Sequence, residues 1–74
     1  MAVVFSKRLV RAFHVRSFEI LADPASGWSV FEREDDRVFR RQSYTDWHRV
    51  ERAAMRFEQV VVDLERDGWL ELPT

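Results

Sequence analysis

The chain has no cysteine, which excludes a disulfide framework, a thiolate metal centre and cysteine redox chemistry together. Histidine is scarce at two residues, too few to fill a zinc coordination shell from imidazole alone. No apolar run approaches the roughly 20 residues needed to cross a bilayer. In the opening MAVVFSKR the apolar residues precede the basic ones, the reverse of a secretory signal. A glycine-rich phosphate loop, a nucleophile elbow and an HExxH motif are all missing. These absences predict a cytoplasmic protein without catalysis of its own, without a cofactor and without a membrane partner.

What the chain does have is apolar and aromatic material: 46% hydrophobic residues, with six Phe and three Trp, a composition that excludes overall disorder. At 74 residues it reads as one small domain, whose modest core leaves stability marginal and makes association with another chain the expected supplement. The net charge of -1 conceals an asymmetry, because Lys7, Arg8, Arg11 and Arg16 all precede the first acidic residue, Glu19. Residues 1–14 therefore form a basic N-terminal segment. The plain reading is the polar side of a short amphipathic element; an organellar transit peptide and a nucleic-acid contact are the alternatives.

The firmest pattern is a long helix over residues 45–67. Trp47, Val50, Ala54, Phe57, Val61 and Leu64 recur at alternating spacings of three and four, one stripe at helical periodicity, widened by Ala53 and Val60. Arg49, Arg52, Arg56, Asp63 and Asp67 lie on the other side as a solvated face. Ser43 or Thr45 is available to cap the first turn, with Asp46 at the positive end of the macrodipole. Gly68 is placed to end the helix, with Arg66 near the last carbonyls.

Residues 16–43 read as strands. Phe18 and Ile20 alternate with Glu19 and Leu21; Asp23-Pro24-Ala25-Ser26-Gly27 breaks the chain into a hairpin loop; Gly27 to Glu34 is a second strand; Glu34-Asp35-Asp36-Arg37 is a tight turn; Arg37 to Ser43 is a third. Residues 1–14 fit a helix or a strand equally, since Phe5, Leu9, Ala12 and Phe13 are helically spaced while Leu9, Arg11, Phe13 and Val15 alternate. Trp69 to Leu72 is extended or a short strand, with Trp69 closing over the core. The predicted fold is α+β: a three-stranded antiparallel meander packed on one long C-terminal helix, with a short N-terminal helix or strand.

Such a sheet is apolar on both faces, and one helix covers one of them. Phe18, Ile20, Trp28 and Val30 suit the helix stripe, which leaves Leu21, Phe31 and Phe39 to another cover. Met55 and Val62 make a second small apolar stripe away from the main one. These five residues are the expected contact surface of a homodimer or another protein partner.

Arg37, Arg40, Arg41, Arg49, Arg52 and Arg56 form a basic constellation. A nucleic-acid contact through Lys7, Arg8, Arg11, Arg40, Arg41, Arg52 and Arg56 is the second expectation, behind a solvated face of mixed ion pairs, because acidic residues outnumber basic ones by thirteen to twelve and Glu32, Glu34, Asp35 and Asp36 stand on the same hairpin. Asp46, His48 and Glu51 are residue types a metal or a general base would use, but they lack further ligands and a nucleophile. Glu32 to Asp36 lacks the glycine and the ligand spacing of a calcium loop. The hairpin bearing Gly27-Trp28-Ser29-Val30, followed by one long helix, resembles the layout of small bacterial β-β-(β)-α proteins. More distantly it resembles the double-stranded-RNA-binding layout of some antitoxins. The likeness spans roughly residues 16 to 69, gives no residue a role, and implies at most an antitoxin-like regulator as the alternative to a protein-interaction domain.

Overall fold

The computed structural model describes residues 2–73. The chain runs β1 (Ala2–Arg11), β2 (His14–Asp23), β3 (Gly27–Glu34), β4 (Arg37–Tyr44), α1 (Trp47–Arg66) and β5 (Leu70–Glu71). All strands join one antiparallel sheet in the order β4-β3-β2-β1-β5. The fold is α+β, with one C-terminal helix packed on the sheet, but the meander has four long strands rather than three. The N-terminal segment is the added strand. Its period-two alternation prevails over the helical spacing because Leu9 becomes fully buried beside Arg16 of β2 while Phe13 moves into the turn at 98% exposure.

Two tight turns sit at the same end of the sheet, and both hold a non-glycine residue at positive φ: Ala12 (φ 54) between β1 and β2, Asp35 (φ 56) between β3 and β4. Asp35 ties the turns together. Its carboxylate accepts from the Val15 amide at 3.0 Å and meets His14 Nδ1 at 3.2 Å, while its own N–H donates to the Val15 carbonyl. At the opposite end Asp23 closes the β2–β3 loop, accepting from the Ala25 amide and the Ser26 hydroxyl, each at 2.9 Å.

The helix begins later than Ser43 or Thr45 would place it. Ser43 and Tyr44 remain in β4, and Asp46 is itself the N-cap, accepting from the His48 amide at 3.0 Å. The far end follows the sequence expectation. Gly68 (φ 95) donates to the Glu65 carbonyl and Trp69 to that of Leu64, a paired closure in which the apolar residue after the glycine packs back on the last turn. Trp69 accordingly lies against the core.

The core lies between α1 and one face of the sheet: Leu9, Phe18, Ile20 and Val30 meet Val50, Ala53, Phe57, Val61 and Leu64. Ala53 rather than Ala54 takes the central place, and Trp47 is peripheral, 45% exposed and tilted against Trp28 at 5.5 Å. Phe57 is the keystone, tilted against Phe18 at 5.1 Å and Phe5 at 5.7 Å. Such aromatic pairs each add about 0.5–1.5 kcal/mol beyond the area they bury. The other face of the sheet carries no element among the described residues.

Candidate nucleic-acid interface

The strand order separates the basic residues. Lys7, Arg8 and Arg11 lie on β1, whereas Arg40 and Arg41 lie on β4, with β2 and β3 between. Lys7 is engaged by Glu71 of β5 at 2.6 Å. Glu71 first, then Glu65 and Glu58 of the helix, hold its ammonium pKa above the usual lysine value. Arg11 lies beside Gly68 at the helix end. The N-terminal basic residues are thus not part of one cluster with β4.

Arg52 and Arg56 do join β4. Along α1 the residues Arg49, Arg52 and Arg56 share one flank at helical periodicity, while Glu51, Glu58 and Glu65 recur a heptad apart on the other. The arginine flank shares a groove of about 330 Å³ with Tyr44, the last residue of β4. The glutamate flank faces β1, as its effect on Lys7 reports. β4 is the outer strand, exposed from Arg37 to Ser43. Its Arg37, Arg40 and Arg41 therefore lie along the same edge of the fold as the three helix arginines, with Arg37 at the far turn among Glu34, Asp35 and Asp36. Among the described residues only Arg40 of these six makes an ion pair, with Glu32 at 3.2 Å.

The uncovered sheet face adds to this side. Arg41, Phe31, Glu19 and Ser6 form one cross-strand row, and Arg33, Ser17 and Arg8 form part of the next. Phe31 is half-buried, with the Arg41 guanidinium 5.5 Å and the Arg33 guanidinium 5.7 Å from its ring centroid. Glu19 approaches Arg33 Nε at 3.5 Å, near enough for an ion pair yet too poorly aligned for a hydrogen bond, so that nitrogen has no hydrogen-bond partner. Ser6, Arg8, Ser17, Glu19 and Arg33 line an open groove of about 480 Å³, closed at its turn end by Val15, Asp35 and Asp36. Its walls are mostly hydroxyls and ions of both signs.

Of the five residues expected in a protein contact, Leu21 and Phe31 lie half-buried on this open face. Met55 and Val62, 64% and 44% exposed, stand on the helix away from the sheet. Phe39 departs from Leu21 and Phe31. A register shift pairs Glu32 with Arg40 and Arg33 with Val38, leaving Phe39 as the extra residue of β4. The bulge brings its ring to the helix side, where the Arg16 guanidinium lies 5.7 Å from Phe39 and 5.4 Å from the buried Phe18. The five residues thus occupy separate surfaces and make no single patch.

Arg33 is the site residue that strand alternation could have supplied, being two residues beyond Phe31 on the same strand and face. Asp46 is occupied as the helix cap with His48 beside it. Among the described residues no three His, Asp or Glu side chains are grouped to hold a metal ion, and no helix is long and apolar enough to cross a membrane. No protein-family model matches the chain, and neither a curated protein nor a solved structure matches it.

Proposed function

We propose that this is a cytoplasmic, non-catalytic binding domain whose working surface is the arginine side formed by β4 and one flank of α1, and whose ligand is the phosphate backbone of nucleic acid. The observation that carries the reading is the gathering of Arg37, Arg40, Arg41, Arg49, Arg52 and Arg56 on one side, five of them without an ion-pair partner among the described residues. Net charge argues weakly against such a ligand, but binding responds to the local field: Glu58 and Glu65 of α1 are turned toward Lys7 on the opposite flank, and among the described residues the one carboxylate on the arginine flank within α1, Asp63, accepts from Gln59. Guanidinium groups suit phosphate because their fork of donors matches its oxygens. Titration of a labelled oligonucleotide at low and high salt tests it: association at low salt that weakens as salt rises is expected, because bound arginines release counterions. No association at low salt refutes it.

Self-association is the second proposal, resting on Leu21 and Phe31 on a sheet face that no element covers. A two-fold dimer through this face would bury both. It would also compete with any ligand there. Sedimentation at tens of micromolar checks it, a dimer mass being expected and a monomer mass contradicting it.

A further inference from the structure

We infer that the ligand is single-stranded, and that its bases lie on the open sheet face against Phe31 and the guanidinium planes of Arg33 and Arg41 while its phosphates follow the arginines of β4. This rests on the reading of the arginine side as a nucleic-acid contact and goes beyond it, from backbone attraction to base stacking. Arg41 joins the two surfaces. It belongs to the edge strand that carries the basic side, and its side chain lies over Phe31 on the open face.

Shape decides against a duplex. Four strands side by side are roughly 14 Å across between their outer axes, wider than the roughly 12 Å major groove, so the sheet face cannot enter it. Nor does α1 offer a groove-reading surface. Its outward side carries the exposed apolar Met55 and Val62, and the Glu51 and Glu58 flank beside them would meet phosphates if the helix entered a groove. A single strand has neither constraint. Its unstacked bases can lie flat on an aromatic ring or on guanidinium planes, in a manner indifferent to sequence.

The chemistry of the face matches that ligand. Arg8, Arg33 and Arg41 surround Glu19, which already leans on Arg33; Asp35 and Asp36 lie at the turn end of the groove, where the Asp35 carboxylate is engaged by the Val15 amide and His14. Ser6 and Ser17 supply hydroxyls in the groove between Arg8 and Arg33. An apolar protein partner would leave these charges desolvated and without partners. An anionic, stacking ligand would satisfy them.

The test is fluorescence anisotropy with an oligothymidine of about 12 nucleotides and a duplex of equal length, using wild-type protein, Phe31→Ala, Phe31→Leu and Phe31→Tyr. Circular dichroism confirms that each variant is folded, and Phe31→Leu keeps apolar cover where Phe31→Ala removes it. The expected result is tighter binding of the single strand than of the duplex, weakened roughly 5- to 100-fold by Ala and by Leu and retained by Tyr. If both nucleic acids bind and all four proteins bind alike, the base platform is wrong while the arginine side stands. If neither binds at low salt, both readings fall. Equal displacement of the oligothymidine by a polyglutamate chain of similar charge also overturns the inference, since an acidic polypeptide would then be as good a ligand.

Discussion

Glu32 and Arg40 face each other across β3 and β4, carboxylate oxygen to Nε at 3.2 Å, and Glu32 is the buried charged residue among those described, at 6% exposure. A buried carboxylate that loses its cation is left uncompensated, a larger effect than the loss of an exposed pair. Arg40 itself is half exposed, so water moderates the penalty. Arg40→Ala is expected to destabilise by about 1–3 kcal/mol, whereas Glu32→Leu combined with Arg40→Leu should lie close to wild type. Urea melts of the single and double variants measure both, and a silent Arg40→Ala contradicts the pairing.

Phe57 supports the aromatic contacts that join α1 to β1 and β2. Phe57→Ala removes a fully buried ring at a cost of about 3–5 kcal/mol. A domain of this size has roughly 4–11 kcal/mol in total. The variant should therefore melt far below wild type, or be largely unfolded, by circular dichroism. A melting temperature within a few degrees of wild type would show that the helix is anchored elsewhere.

Most of the helix and the central hairpin can be read from the residues. The stripe through Val50, Phe57, Val61 and Leu64 needs only one periodicity, and Asp23 to Gly27 announces its own loop. β1 could not be read so, because Leu9 fits both periods and only its pairing with β2 selects the strand. Alternation puts Phe39 on the wrong face for a related reason: it assigns faces correctly until a bulge inserts a residue, and nothing local in Arg37-Val38-Phe39-Arg40 marks one. The arginines of α1 were visible as a face of the helix. Their neighbourhood with β4 depends on how the helix crosses the sheet, a tertiary fact with no sequence period.

Asp35 makes the link between the two tight turns titratable. The Val15 amide first, and then His14, hold its carboxyl below the ordinary value of 3.8. A depressed carboxylate contributes stability that is present above the unfolded-state pKa and lost as pH falls through the folded value. The window is therefore acidic, below about pH 4. Asparagine tolerates the same positive φ, so Asp35→Asn isolates the charge. Wild type should exceed the variant in stability at neutral pH, and the gap should narrow as the pH falls below about 4. A gap independent of pH in urea melts contradicts this account.

The two glycines should respond unequally to alanine. At Gly68 (φ 95) an added Cβ meets nothing nearer than Arg11 Nε at 3.9 Å, leaving a backbone cost of about 1 kcal/mol. At Gly27 (φ 96) the Cβ would overlap the Tyr44 carbonyl oxygen, held by the pairing of Tyr44 with Trp28. Gly27→Ala should cost more than about 3 kcal/mol and loosen the entry to α1. Thermal melts that rank the two in the opposite order would exclude that contact.

The most direct measurement of the central claim is the salt dependence of oligothymidine binding by wild type and by Arg49→Ala with Arg52→Ala, two exposed residues outside every ion pair among those described. Each phosphate neutralised on a single strand contributes about 0.7 to the slope of log affinity against log salt. Wild type should show a slope of about -2 to -4, and the double variant one shallower by about 1.4. Absence of binding at low salt, or the same slope in both proteins, would contradict the assignment of the arginine side as the nucleic-acid contact.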